Sequence, residues 1–377
     1  MKIGIDSRMY GPKVGGGGLG RYVEQLVTEL QATDDTNRYV LFLKKENADA
    51  CKITNPHFEK RVADVHWYTL REQLSMASVI DREGLDLVHF PHWNVPFMLK
   101  TPFVVTIHDL ILLEEPRSAR ATTRHPLVYR AKYFAFRQVL GNAIKKSRHI
   151  IAVSEFTKQS ILKHFPDVDP KKITVVYEAV TSLPASPEGE AHGELALPKG
   201  PYFLHIGNAY PHKNLESLLH AFSFFVREHP EVSLVIAGRR DVFFKRLERE
   251  ADEIGIPASS LRFVADPSDA QIAELYRHAS LYLFPSRIEG FGLPALEAMQ
   301  EGVPVAAART SSLPEILGDA AVYFPPDDIE EMVAVMERSL SDKPLRETLM
   351  AKGRERVGMY SWKRAAEETR RIYETAL

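Results

Sequence analysis

The sequence predicts an α/β protein built of two Rossmann-like βαβ domains that face one another across an interdomain cleft. Three observations carry this. Short apolar runs rich in Val, Ile and Phe recur between helix-like stretches, the runs fall into two sets, and the polar segment Thr181-Ser-Leu-Pro-Ala-Ser-Pro-Glu-Gly-Glu-Ala-His-Gly-Glu194 separates the sets. Near-continuous apolarity, in place of strict alternation, is what strands covered on both faces by helices show. Such sheets bind ligands at the C-terminal ends of their strands, so two of them joined by a surface linker are expected to share one cleft.

The first set of runs comprises residues 2–6, 39–43, 86–90, 103–106 and 149–153, and the second comprises 202–206, 232–237, 261–264, 281–284 and 303–307. After the first strand, Gly15-Gly16-Gly17-Gly18-Leu19-Gly20 leads into an amphipathic helix at 21–30. The run contains G-x-G-x-x-G, but residues 7–14 intervene, whereas a dinucleotide fingerprint starts almost at the strand end. It reads either as a plain turn or as a loop whose amides face a phosphate or sugar. Residues 127–140 mix aromatic and cationic side chains without Gly or Pro and read as a helix.

With 377 residues, 45% of them apolar and 26% charged, the chain has material for two domains and a sizeable core, which excludes wholesale disorder. The whole chain sums to −2, so no global basic excess supports nucleic-acid binding. Locally the balance differs. Residues 117–148 hold nine basic side chains and no carboxylate, leaving −11 on the remainder. That segment, with Arg124, Arg130 and Lys132 at its centre, is either a core helix with a solvated basic face or a surface that meets phosphate or lipid head groups. The single cysteine, Cys51, forbids an intrachain disulfide, and no Cys/His spacing resembles a metal site. The start of the chain reaches Asp6 too early for a signal peptide, and no run of about 18 apolar residues occurs, so a cytoplasmic protein is expected.

Two blocks in the second half carry chemistry. His205-Ile-Gly-Asn-Ala-Tyr-Pro-His-Lys-Asn-Leu215 follows a strand and sets Lys213 at the mouth of the next helix, a place for a phosphate counter-charge. Ser286-Arg-Ile-Glu-Gly-Phe-Gly-Leu-Pro-Ala-Leu-Glu297 follows another strand, with Glu289 in the loop, Pro294 at the helix start and Glu297 in its first turns. Amides at the helix N-terminus suit an anion, and the carboxylates suit sugar or ribose hydroxyls.

The second block resembles the E-x7-E motif of the retaining glycosyltransferases of family 4, which have the GT-B architecture. Val153-Ser-Glu-Phe-Thr-Lys158, Ile173-Thr-Val-Val-Tyr177, Val235-Ile-Ala-Gly238 and Glu315 after a Thr-Ser-Ser-Leu-Pro run follow that family's order. Thr106-Ile-His-Asp-Leu110 and Pro211-His-Lys-Asn214 look like the O-antigen and surface-polysaccharide mannosyltransferases within it. The resemblance implies an acceptor-binding domain at 1–180, a linker at 181–199, a nucleotide-sugar domain at 200–358 and a C-terminal helix, 359–377, packing back on the first domain.

It further implies that Lys213 neutralises the donor diphosphate and that Glu289 contacts the donor sugar. Phe291, Gly292 and Leu293 would supply amides, Glu297 would hold the ribose, Gly16 and Gly17 would lie near phosphate and acceptor, and His108 would approach the sugar. The expected donor is GDP-mannose or, second, a UDP-sugar. The expected acceptor is a glycan or polyprenyl-linked oligosaccharide, with no cofactor, no metal and a peripheral contact at the inner membrane face.

Two departures stand out. Asn208 replaces the arginine that usually precedes the lysine loop, leaving Arg239 or Arg287 to supply the missing cation. Glu178 stands where the family usually has Asn. Asp167-Val-Asp169 mimics a metal-binding motif of another transferase architecture, but its neighbouring prolines read as a turn. An NAD-dependent oxidoreductase, a nucleotide-sugar epimerase and a non-catalytic sugar-nucleotide binder are the rival readings.

Overall fold

The computed structural model describes residues 1–11, 14, 17–115, 126–183, 195 and 197–377, and the backbone alone of Pro126 and Leu127. Gly16 and Arg124, together with Arg117, Arg120, Gly15 and most of the linker expected at 181–199, lie outside the described residues. The chain divides into two compact units. Unit 1 is Met1–Leu110, Thr122–Ala179 and Ser361–Leu377, and unit 2 is Ile111–Ala121 and Val180–Tyr360.

In chain order, unit 1 holds β1 (Lys2–Asp6), α1 (Gly18–Thr33), β2 (Arg38–Leu43), β3 (Phe58–Val62), β4 (Leu87–Phe90), β5 (Phe103–Ile107), α2 (Pro126–Lys146), β6 (His149–Ala152), α3 (Glu155–His164) and β7 (Ile173–Val175). Among the described residues these strands form one parallel sheet in the order β3-β2-β1-β4-β5-β6-β7. Ile3, Ile5, Val40, Val88, Val104, Ile150 and Ile151 are fully buried, as a sheet covered on both faces requires.

Unit 2 holds β8 (Tyr202–Ile206), α4 (Leu215–Glu228), β9 (Ser233–Gly238), α5 (Val242–Ile254), β10 (Leu261–Ala265), α6 (Asp269–His278), β11 (Leu281–Phe284), α7 (Leu293–Gln300), β12 (Val305–Ala308), β13 (Ala321–Phe324), α8 (Ile329–Ser341) and α9 (Lys343–Val357). Its parallel sheet runs β10-β9-β8-β11-β12-β13 among the described residues. The last helix, α10 (Trp362–Thr375), belongs to unit 1 and packs on α1.

Both sheets reverse their strand order once, between β1 and β4 in unit 1 and between β8 and β11 in unit 2. Such a switch point opens a crevice at the C-terminal strand ends, the usual place for a ligand in this architecture.

The strands expected from the sequence are all present, with ends moved by one or two residues. Three more, β3, β7 and β13, close sheet edges. The sequence Phe58-Glu-Lys-Arg-Val62 has three charged residues in a row, which a half-solvated edge strand tolerates, so it offers no continuous apolar run. The helix expected at 21–30 starts three residues earlier, inside the glycine run, capped by Gly17 at φ 80°. The helix read at 127–140 continues to Lys146. Asp169 accepts a hydrogen bond from the Lys171 amide and starts a single 3-10 turn, Pro170–Lys172, so the Asp-x-Asp segment is a turn. Among the described residues no helix is long and apolar enough to cross a membrane.

Candidate functional site

In unit 2 the loops after β8 and β11 flank the switch point. After β8 the chain makes a 3-10 turn, Pro211–Lys213, and Asn214 takes φ 58° to launch α4. The Asn214 side-chain amide donates to the carbonyls of Pro285 at 3.1 Å and Pro326 at 2.6 Å, and the Arg287 amide donates to the His212 carbonyl at 2.8 Å. The two loops are therefore stitched together before any ligand arrives.

Across this seam Lys213 Nζ donates to Glu289 Oε1 at 2.7 Å, with the ammonium 5.7 Å from the Phe284 ring centre. Both side chains are largely buried, at 16% and 9% exposure. Burial pushes the Glu289 carboxyl up, but the Lys213 charge and hydrogen bond, with His212 contributing where it is protonated, override it and hold it below its ordinary value. Burial, with the Lys213 charge, pulls His212 down to about 4, so that imidazole is neutral at neutral pH.

Glu289 is held from behind by the loop after β12, which the sequence singled out only as a Thr-Ser-Ser-Leu-Pro run. The Glu289 amide donates to Ser311 Oγ at 3.0 Å. The Ser312 hydroxyl donates to the Glu289 and Phe291 carbonyls at 3.0 and 3.1 Å, and Thr310 to the Arg287 carbonyl at 3.1 Å. Such hydroxyl-to-carbonyl clamps fix a loop in one geometry, which a preorganised site requires.

Beyond Glu289, Gly292 caps α7 at φ 106°, and a Cβ there would lie 2.8 Å from the Leu313 side chain. The Phe291, Gly292 and Leu293 amides thus sit at the start of α7, whose dipole favours an anion. Glu297 is half-buried on α7 and accepts a hydrogen bond from the Tyr276 hydroxyl at 3.2 Å.

Asn208 and Arg239 are exposed just past the adjacent strands β8 and β9. Arg287 pairs with Asp327 at 2.5 Å and reaches the Pro211 carbonyl at 3.5 Å, so it braces the loop. Among the described residues Arg239 makes no ion pair, which leaves it the better placed of the two to serve a ligand.

Unit 1 presents a second cluster. His108 follows β5, and its Nδ1 lies 2.7 Å from Glu178 Oε1, its Nε2 2.9 Å from the Pro91 carbonyl. Burial pulls the imidazole pKa down, but the hydrogen bond and charge of Glu178, aided by the Pro91 carbonyl and Asp109, leave it above the ordinary value. The Tyr22 ring meets His108 edge-on at 4.7 Å, and the Tyr22 hydroxyl bonds Thr106 at 3.0 Å. Beneath them His89 links Thr106, at 2.8 Å, to the Tyr373 hydroxyl of α10, at 2.7 Å. The sequence noted Glu178 only as a departure, because 70 residues separate it from its partner.

At the unit 1 switch point the sequence shows no signal for what the fold builds. Arg8 is 1% exposed, pairs with Asp6 at 2.7 Å and Glu72 at 2.5 Å, and donates to the Val65 carbonyl at 3.0 Å. Asn94 donates to the same Glu72 at 2.7 Å. This network fixes the chain at Asp6, the last residue of β1, and at Arg8 just past it. Gly17 is exposed at the head of α1.

Arg130 and Lys132 lie exposed on α2, beside Val128 at 45% and Phe134 at 64% exposure. The ring of Phe136 meets Trp93 edge-on at 4.9 Å, which anchors the helix, while Lys146 reaches the Phe97 carbonyl at 3.5 Å.

Known proteins agree with this arrangement in both halves. Residues 16–181 match the family model described as Glycosyltransferase Family 4, and residues 188–356 the model described as Glycosyl transferases group 1. The chain is 28% identical over 381 residues to the O-antigen chain mannosyltransferase B of Escherichia coli, covering 95% of this chain and 96% of that protein. Among solved structures, sucrose-phosphate synthase from Thermosynechococcus elongatus superposes with a TM-score of 0.76 at 20% identity, over 100% and 98% of the two chains. The Anabaena protein Alr3699/HepE in complex with UDP and glucose does so with a TM-score of 0.73 at 16% identity, over 99% of each.

Proposed function

Because the chain belongs to the glycosyltransferases of family 4 and group 1, we propose that it moves mannose from GDP-mannose to a glycan or polyprenyl-linked acceptor in surface-polysaccharide synthesis. The name of the Escherichia coli relative supports the sugar and the kind of product. The observation that carries the reading is the Lys213–Glu289 pair, 2.7 Å apart, at the switch point of unit 2.

In this reading the donor diphosphate takes over the Lys213 ammonium and the amides of Phe291, Gly292 and Leu293, while Glu289, released from Lys213, accepts from sugar hydroxyls. Glu297 holds the ribose, Asn208 and Arg239 edge the phosphates, and His108 meets the sugar. The bond between the anomeric carbon and the β-phosphate oxygen breaks as the acceptor oxygen bonds that carbon on the same face, and the acceptor proton passes to the departing phosphate. Configuration is retained. Fixed cations and amides aimed at charge appearing on the phosphate supply several kcal/mol of the barrier lowering. The reaction so written needs no metal and no redox cofactor.

The acceptor reading adds a cytoplasmic location and a peripheral contact at the inner membrane face, supported by the exposed cations and apolar side chains of α2.

Thermal shift of the purified protein with GDP, GDP-mannose, UDP, UDP-glucose, UDP-N-acetylglucosamine and NAD tests the donor, since a ligand of the native state alone raises Tm. Stabilisation by GDP and GDP-mannose that disappears in Lys213→Ala is the expected result. Stabilisation by the UDP compounds moves the donor to a UDP-sugar, and a response to NAD alone overturns the reading. Anomeric coupling constants of the product test retention.

A further inference from the structure

We propose that Glu178 is a positioning residue for His108, fixing the ring so that both nitrogens carry hydrogens at the C-terminal end of β5. The inference rests on the reading of His108 as a group that meets the donor sugar.

The backbone makes the contact possible. β7 lies two strands from β5, and past its end the Val176 amide donates to the Ala152 carbonyl of β6 at 2.9 Å, keeping the chain on the sheet. Two residues later Glu178, 5% exposed, reaches past the end of β6 to His108 Nδ1. On the ring's other edge stands the Pro91 carbonyl, at the end of β4. An ionised carboxylate and a carbonyl only accept, so each of the two contacts asks the ring for an N–H. A neutral imidazole has one, and an imidazolium has two. The Thr157 hydroxyl donates to the His108 carbonyl at 3.1 Å and Tyr22 abuts the ring edge-on, so the ring is held in place by more than Glu178. What Glu178 adds is charge.

The titratable groups around the ring agree. Glu178 and Asp109 are the carboxylates that act on it. His92, its ring 6.4 Å away, and His89 are its basic neighbours. Burial, with the charge of His108 itself, brings both down to about 3, so neither competes for the proton at neutral pH. Tyr22 is buried beside Glu178 and its hydroxyl is pushed well above the ordinary range, so it stays neutral. Of the three imidazoles, His108 is therefore the one whose surroundings favour the proton.

The consequence is chemical. An imidazolium N–H to a sugar or phosphate oxygen is a charge-assisted hydrogen bond, roughly twice as strong as a neutral one. In this reading its Nε2 hydrogen, now on the Pro91 carbonyl, turns to a ligand oxygen. The asparagine that the resembled family usually has in this place can accept from Nδ1 but brings no charge to hold the proton.

The test is an NMR titration of the full chain labelled with 15N-histidine, using His108→Gln to assign the ring. The wild-type ring is expected to be doubly protonated at pH 7. Glu178→Gln is expected to lower its midpoint by about one unit or more, and Glu178→Asp, which keeps the carboxylate, to stay near wild type. An unchanged midpoint in Glu178→Gln overturns the proposal.

The second arm measures turnover of GDP-mannose and UDP-glucose between pH 6 and 8. In Glu178→Gln, kcat at pH 8 falls about tenfold or more with little change in KM, and the deficit narrows toward pH 6. A loss equal at every pH marks a merely structural role and also overturns the proposal. If the wild type turns over neither donor while the NMR midpoint moves as expected, the transferase reading fails and the Glu178–His108 assignment stands.

Discussion

His108 and Glu178 form a 2.7 Å ion pair beside the end of β5, and the imidazole is the member whose pKa rises. A raised histidine contributes stability that is complete below its unfolded value of about 6.5 and is lost as pH climbs through the folded value. In urea unfolding, the stability gap between wild type and Glu178→Gln is therefore expected to be widest near pH 6 and to shrink above the folded midpoint. A gap that widens with pH would contradict the pairing.

His89 and His205 behave in the opposite sense. Both are fully buried, and burial, the largest cause, brings them to about 3 and about 4. The unfolded chain binds their protons first, so stability falls as pH drops below about 6.5, each contributing a slope of up to about 1.4 kcal/mol per pH unit. Chemical denaturation at pH 7, 6 and 5 should show this fall, and a shallower one in His205→Phe. A flat profile over that window would remove both histidines as its source.

The Lys213–Glu289 pair is mostly buried, so removing one partner strands the other. Lys213→Ala and Glu289→Gln are each expected to destabilise unit 2, and the double variant by less than their sum. The coupling should be about 1–3 kcal/mol by denaturant unfolding. Strict additivity would mean that the two charges are solvated independently.

Arg239 and Arg287 can be told apart. If Arg239 supplies the cation that Asn208 lacks, Arg239→Ala weakens nucleotide-sugar binding by about tenfold in calorimetry with Tm unchanged. Arg287→Ala, which breaks the brace to Asp327, lowers Tm first. Unchanged donor affinity in Arg239→Ala would dismiss it.

The exposed face of α2 predicts membrane behaviour. Arg130→Gln with Lys132→Gln should weaken binding to vesicles containing anionic lipid, with a smaller salt dependence than wild type, and Phe134→Ser should weaken it at all salt concentrations. Equal sedimentation of all variants with the vesicles would refute the contact.

The β-strands were legible because strands buried on both faces need uninterrupted apolar runs, and Tyr202–Ile206 or Leu281–Phe284 can hardly be read otherwise. The edge strand Phe58–Val62 was not, since its consecutive Glu59, Lys60 and Arg61 suit a half-solvated position. Lys213 and Glu289 were legible as separate motifs, but not as a bonded pair, because 76 residues separate them. Periodicity reports one element's own faces and is silent about which loops meet. Arg8 shows the same limit: alone it reads as a surface cation, and only the fold brings Glu72 and Asn94 around it.

The hydrogen bond between Tyr373 and His89 has a consequence for the order in which the protein can be made. The first unit is discontinuous, and α10, which packs on α1, is translated only after every residue of the second. During synthesis, then, residues 180–360 can complete their own core while the amino-terminal sheet still waits for its last helix. A nascent chain stalled before Trp362 should carry a protease-resistant second unit beside a first unit that is still cleavable.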